Sequence, residues 1–384
     1  MIRDQEIFNQ LRDTIRRFVN ERLIPAEDRV VEDNAVPAEI LREMREMGLY
    51  GMTVPEEYGG LGLTTEEEAY IIMELGRASP AFRSKIGTNN GIGSQGIVID
   101  GTPEQKARFL PKVAAGEYVA SFALTEPDAG SDAASIRTTA ILDGDHYVVN
   151  GTKRYITNAA DASIFTLMAR TDPSNKGAGG VSAFIVEKNS PGLTVGKPNK
   201  KMGQAGANVY DVIFEDCRVP AANLIGGVPG QGFKTAMKTL DRGRLHISAL
   251  CVGVSQRLVE ESVRYAIDRK QFGQAIAEFQ LIQAMLADSR TESYAAQCMV
   301  LDAARNYDAG NRSVGDIAAC KYFASEMVGR VADRAVQIHG GAGYMSEYAV
   351  ERFYRDVRIF RIYEGTSQIQ QLLIARNLIK EFRA

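Results

Sequence analysis

Near the C-terminus, Tyr363-Glu364-Gly365-Thr366-Ser367-Gln368 sets a carboxylate just ahead of a helix start, with Thr366 or Ser367 as its cap. Glu364 has two readings. It can complement the helix dipole, worth about 0.3–1 kcal/mol. Enclosed by apolar groups, the same carboxyl loses ionised-state solvation and becomes a general base near neutral pH. Three other segments could hold a ligand. Leu124-Thr125-Glu126-Pro127-Asp128-Ala129-Gly130-Ser131-Asp132 crowds Pro, Gly, hydroxyls and acids behind an apolar run, so its backbone N–H groups could face a polar ring or phosphate, although an ordinary surface turn has the same composition. Tyr155-Ile156-Thr157 puts an aromatic and a hydroxyl at alternate strand positions, suited to stacking on a flat ring or to sheet core. Gln337-Ile338-His339-Gly340-Gly341-Ala342-Gly343-Tyr344 reads as a glycine helix cap or as backbone opened to a phosphate. Gly91-Ile92-Gly93-Ser94-Gln95-Gly96 matches G-x-G-x-x-G, but no strand precedes it, so it reads as close helix packing or a helix break.

The elements that must position these groups fall into three parts, giving a multi-domain α+β chain. Residues 1–117 read as an N-terminal helical domain, with an apolar stripe through Ile7, Leu11, Ile15 and Phe18 and a second through Ile40, Leu41, Met44 and Leu49. Thr64 or Thr65 opens a further helix, whose Glu66, Glu67 and Glu68 complement its dipole. Residues 118–228 carry short β-branched and aromatic runs separated by turns, which reads as a middle antiparallel β domain. Residues 229–384 return to long amphipathic helices, about 232–267, 277–308, 315–339 and 366–381, and read as a four-helix bundle.

Composition bounds the chemistry. Over 384 residues the chain is 45% hydrophobic and 24% charged, with a formal net charge of −3, so a packed protein without a nucleic-acid footprint is expected. The 4 cysteines lack CxxC spacing and the 3 histidines are scattered, so neither a disulfide scaffold nor a metal site is expected. No apolar run reaches the ~20 residues of a membrane span. The charged start, Met1-Ile2-Arg3-Asp4-Gln5-Glu6, is unlike a leader peptide, and a bacterial cytoplasm is the expected location, or the mitochondrial matrix for a processed form.

Taken together and in order, Leu124–Asp132, Tyr155–Thr157, Gly230–Phe233, Arg269–Gly273, Phe279-Gln280, Gln337–Tyr344, Arg355-Asp356 and Tyr363–Gln368 resemble the acyl-CoA dehydrogenase family. The resemblance covers essentially the whole chain and implies helical, β and helical domains assembled as a homotetramer. It implies FAD, with Phe122, Leu124, Thr125, Gly130, Ser131, Tyr155, Ile156 and Thr157 about the flavin ring. Arg269, Phe272, Gln280, Gln337, Gly340 and Gly341 match contacts to the pyrophosphate and adenosine of a neighbouring subunit's FAD, and Thr366 and Gln368 match further contacts. Ser131, Asp241, Arg244 and Gly365 match the CoA-thioester site. The chain departs from the family in having no Trp, so Tyr155 stands where Trp often precedes Ile-Thr.

By resemblance, Glu364 removes the α-proton of the thioester while the β-carbon passes hydride to the flavin. The thioester carbonyl accepts from the backbone N–H at 364 and from a ribityl hydroxyl. Some relatives carry the base near Gly243, which cannot serve. Ala81-Phe82-Arg83-Ser84 faces the acyl tail in relatives, and Arg83-Ser84 resembles glutaryl-CoA dehydrogenases, whose Arg binds a distal carboxylate. Gly76 stands where those enzymes carry an acid. A plain short-to-medium acyl chain and a dicarboxylyl chain both remain open, with Arg83 snorkelling to solvent or pairing with Glu74 in the former case. Electron-transfer flavoprotein is the expected acceptor, and β-oxidation the expected setting. A same-fold oxidase or lyase, or a helical scaffold without cofactor, are the competing classes.

Overall fold

The computed structural model describes residues 1–383. α1 (Gln5–Phe18) starts on Asp4, whose carboxylate accepts from the N–H groups of Glu6 and Ile7. Its buried face is Phe8, Ile15 and Phe18, whereas Ile7 is 65% exposed. Phe8 lies two turns before Ile15 and takes the place expected for Ile7. Then come α2 (Glu27–Asp33), α3 (Ala38–Glu46), α4 (Thr65–Leu75), α5 (Pro80–Asn90), α6 (Gln95–Asp100) and α7 (Pro103–Ala114). Thr64 and Thr102 close capping boxes with Glu67 and Gln105. The α4 glutamates do more than meet a dipole: Glu66, Glu67 and Glu68 are buried and pair with Arg305, Arg3 and Arg242. Gly91–Gly96 turns the chain from α5 into α6, and a Cβ on Gly93 would strike the Ala120 carbonyl.

The middle part is a curled sheet of β1 (Ala120–Ala123), β2 (Thr139–Asp143), β3 (His146–Thr157), β4 (Ile164–Arg170), β5 (Val181–Glu187), β6 (Leu193–Pro198) and β7 (Val209–Pro220). The order is β1-β4-β2-β3-β7-β6, with β5 also on β4. Most pairs are antiparallel. β1 is the exception, running parallel to β4 with Ala120 opposite Ile164, and β2 touches β4 in parallel at Thr139–Arg170. β4 is buried throughout, because Ile164 and Met168 pack with the helices while Phe165, Leu167 and Ala169 pack inside the sheet.

The C-terminal helices are α8 (Gly232–Asp268), α9 (Gln280–Asp308), α10 (Val314–His339), α11 (Ala349–Val357) and α12 (Ser367–Glu381). Between α8 and α9 lies the hairpin of β8 (Lys270–Gln271) and β9 (Gln274–Ala275). One core joins these helices to the N-terminal ones through Ile72, Leu75, Leu250, Val254, Val300 and Val328. α4 and α8 cross at Gly76 and Gly253, where a Cβ on Gly76 would lie 2.9 Å from the Leu250 carbonyl oxygen. That contact excludes an acid at 76. Among the described residues no helix is long and apolar enough to cross a membrane.

Candidate active site

Glu364 lies between the helical turn Arg358–Arg361 and α12. Its φ is +53° and that of Gly365 +95°. The left-handed region is costly for a glutamate, so the loop must be held. Lys321 on α10 donates from Nζ to the Gly365 carbonyl at 2.6 Å, and Gln370 Nε2 reaches the carbonyls of Glu364 and Gly365 at 3.2 Å each. Thr366 caps α12 by accepting from Ile369 N–H at 3.3 Å. The carboxylate is thereby turned toward α8 at Gly243, where an added Cβ would collide with Oε2. Oε2 is buried and has no hydrogen-bond partner. Burial pushes the Glu364 carboxyl up, and Arg83, Lys321 and Arg244 offset only part of that. Burial also lowers the Lys321 ammonium to about 8.

Arg83 approaches Glu364 from α5, near enough for its charge to act on that carboxylate. It neither snorkels nor meets Glu74, which Arg16 holds at 2.5 Å. Arg83 is 7% exposed, and its Nε donates to His246 Nε2 at 2.6 Å. His246 Nδ1 lies 2.7 Å from Glu68 Oε1, and Arg242 Nε donates to Glu68 Oε2 at 3.1 Å. Burial first, then Arg83, lowers His246 to about 4. Ser84 is turned away, its hydroxyl donating to Pro80 of its own helix at 2.9 Å. Asp241 and Arg244 pair one turn apart on α8 at 2.5 Å. Sequence reasoning passed over His246, Glu68 and Lys321. The i,i+4 spacing of Arg242 and His246 was the available signal, because it puts both on one helix face.

The loop after β1 is braced from beneath. Glu126 accepts from Arg137 N–H at 2.6 Å, Thr138 N–H at 2.9 Å and Lys153 Nζ at 2.7 Å. Burial would raise the Glu126 carboxyl, but Lys153 and the backbone donors outweigh it and hold it low. Lys153 also donates to the Leu124 carbonyl, and burial lowers it to about 8. Arg154 N–H donates to the Thr125 carbonyl. A bulge between Lys153 and Ile156 changes the strand's parity. Lys153 and Ile156 therefore point inward, while Tyr155, at φ +60°, is 60% exposed beside half-open Thr157.

These residues fit a flavin. Tyr155 offers an open aromatic face, and at Gly130, Gly340 and Gly341 a Cβ would meet nothing within 4 Å. Phe122 lies on β1 and Ile156 on β3, and Leu124 and Ser131 bound the loop. Elsewhere a cavity of about 900 Å³ is lined by Arg269, Phe272, Phe279, His339, Gly340 and Gly341. Phe272 is 94% exposed at its rim, whereas Gln280 and Gln337 lie on α9 and α10 outside that lining. Gln368 is exposed on the first turn of α12.

Comparison with known proteins joins these parts. The acyl-CoA dehydrogenase N-terminal domain matches residues 5–117, the middle domain 121–217 and the C-terminal domain 230–379. The chain is 43% identical over 382 residues to the acryloyl-CoA reductase (NADH) of Anaerotignum propionicum, covering 99% of this chain and 95% of that one. A solved chain described under the electron transferring flavoprotein of Acidaminococcus fermentans superposes with a TM-score of 0.95 at 38% identity, covering 99% of this chain and all of that one. A glutaryl-coenzyme A dehydrogenase in complex with glutaryl-CoA superposes with a TM-score of 0.94 at 33% identity, covering 99% and 96%.

Proposed function

The chain belongs to the acyl-CoA dehydrogenase family, an FAD-dependent oxidoreductase acting on acyl-CoA, and from that premise we propose that Glu364 is the base that takes the α-proton of a short-to-medium acyl thioester. The observation that carries this reading is the unpartnered, buried Oε2 of Glu364, fastened by Lys321 and Gln370 and given room by Gly243. A carboxylate with one oxygen buried and unpartnered has a raised proton affinity and leaves that oxygen free for substrate. The backbone N–H of Glu364, turned by its left-handed φ, is suited to donate to the thioester carbonyl, where a single donor is worth about 3 kcal/mol of transition-state stabilisation. Bound flavin supplies the acceptor for the β-hydrogen and its electron pair. Asp241 and Arg244 are assigned to the thioester's CoA side. Glu364 serves either direction, since it can also return a proton to Cα, and similarity to an acryloyl-CoA reductase supports that possibility.

Arg83 favours a second reading of the substrate. A guanidinium that is 7% exposed with no carboxylate partner among the described residues suits an acyl group ending in an anion. Similarity to a glutaryl-CoA complex supports it. The exposed Phe272 beside the large cavity supports a homotetramer, in which a neighbouring subunit's FAD would cover that ring. Similarity to the Acidaminococcus chain supports electron-transfer flavoprotein as the electron acceptor. Anaerobic mixing of the holoenzyme with butyryl-, octanoyl-, succinyl- and glutaryl-CoA tests the substrate reading, with bleaching of visible flavin absorbance as readout. At least one ester must bleach it, and Arg83→Leu must lower the preference for the dicarboxylyl esters. Failure of every ester refutes the function, and unchanged preferences refute the role of Arg83.

A further inference from the structure

An arginine meant to bind an anion needs to be aimed without being neutralised. Arg83 meets both conditions. Its partner is the imidazole of His246, which accepts from Nε–H at 2.6 Å and carries no charge in that role. Because Nε2 accepts, the ring's proton sits on Nδ1, where it donates to Glu68 at 2.7 Å. Glu68 has its negative charge taken up by Arg242, which is also tied to Gln95 Oε1 at 3.4 Å and the Leu63 carbonyl at 3.3 Å. The chain Arg242–Glu68–His246–Arg83 thus joins α8, α4 and α5. It ends in a guanidinium that forms no ion pair with a carboxylate and whose two Nη atoms bond nothing among the described residues.

A second observation bears on the same side chain. On α5, one turn after Arg83, a Cβ at Gly87 would lie 2.9 Å from Arg83 Cζ and 3.0 Å from Nε. The guanidinium therefore lies flat along its own helix, in space that only a glycine leaves. Gly87 sets the plane from beneath and His246 fixes the edge.

We infer that His246, held in one tautomer by Glu68, is a positioning residue that aims Arg83 toward the acyl group beside Glu364 without tying it into an ion pair, with Gly87 keeping the space, so that an acyl thioester with a distal anion is selected over a plain one. A carboxylate at 246 would hold Arg83 equally well but would consume its charge. Neutral imidazole does the first without the second. The inference rests on the reading of Arg83 as an anion contact, and the variants separate the two.

The test uses FAD-loaded enzyme, with kcat and KM measured separately for glutaryl-CoA and butyryl-CoA. Flavin content and thermal midpoint report folding. His246→Leu removes the acceptor, His246→Glu keeps an acceptor but spends the charge, and His246→Gln keeps a neutral acceptor. The first two are expected to raise KM for glutaryl-CoA by about tenfold or more, since an anion held by a charged, aimed donor loses that contact. In His246→Leu the KM for butyryl-CoA should stay within about threefold and both kcat values should hold, which a merely structural role for His246 would not produce. His246→Gln should restore most of the preference. Gly87→Ala, which displaces the guanidinium without touching His246, should repeat the pattern and stands in if His246→Leu does not fold. If Arg83→Leu shifts the glutaryl-to-butyryl ratio while His246→Leu, His246→Glu and Gly87→Ala leave it at the wild-type value, the positioning role is overturned and the anion reading stands. If Arg83→Leu leaves the ratio unchanged, both fall.

Discussion

Gly243→Ala is the smallest change that should reach the chemistry without replacing any group that performs it. The added Cβ would overlap Glu364 Oε2 and lie 3.2 Å from its Cδ and 3.3 Å from Ile92 Cγ2. Ordinary contact begins at 3.4 Å, so Oε2 must retreat by about 1 Å. The main chain cannot share that movement, because Lys321 and Gln370 fasten the Gly365 carbonyl. The carboxylate must therefore rotate off its line to Cα. A displacement of that size typically costs about 100-fold in rate. Alanine has the better helix propensity by about 1 kcal/mol, so thermal stability should change little despite the contact. The assay is anaerobic stopped-flow reduction of the flavin at saturating acyl-CoA, with the dissociation constant taken from a static titration. The rate should fall about 10–100-fold with affinity nearly unchanged, and no further loss should appear when the change is added to Glu364→Gln. Wild-type reduction by Gly243→Ala would refute the geometry drawn for the base.

Lys321→Met removes the bond to the Gly365 carbonyl and leaves that carbonyl buried. Flavin reduction should slow by about tenfold or more, with flavin content kept, as visible absorbance and stopped flow will report. Lys153→Met leaves the Glu126 carboxylate beneath the flavin loop with two backbone donors but no counter-charge, which should cost about 3 kcal/mol in denaturant unfolding and lower the bound FAD per chain. His246 titrates at about 4 when folded against 6.5 when exposed, because burial and Arg83 disfavour its charged form. The unfolded chain takes up that proton first as pH falls. Stability should therefore drop by up to about 3 kcal/mol between pH 6.5 and 4, beyond any loss seen in His246→Gln, which lacks this component. Equal pH slopes for the two proteins would contradict the burial of a neutral imidazole facing Glu68, Arg83 and Arg242.

The three-part architecture was legible because each part carries its own period. Helical stripes at three- and four-residue steps, short β-branched runs and long amphipathic helices do not mimic one another. Ile7 went wrong because Phe8 completes the same stripe as well, and only packing chooses between them. The Glu364 loop was visible as a carboxylate before a helix cap, yet its environment was not, since Gly243 and Lys321 are far away in sequence. The acidic run of α4 shows this limit most clearly. Glu66, Glu67 and Glu68 read only as complements to a helix dipole, whereas all three are buried and meet bases from α9, the N-terminus and α8. Partners for a buried charge are chosen by tertiary contacts, and a single helix's sequence does not contain them. Likewise the parallel pairing of β1 with β4 follows from the chain's path around the β2–β3 hairpin, which alternation along a strand cannot reveal.

Glu364→Gln tests the base most directly, since it keeps size and loop geometry while removing the proton acceptor. The flavin-loaded variant should bind its best acyl-CoA with near-native affinity and reduce its flavin about 1000-fold more slowly than wild type, the middle of the range for loss of a general base. Reduction at the wild-type rate would show that the proton leaves Cα by another route.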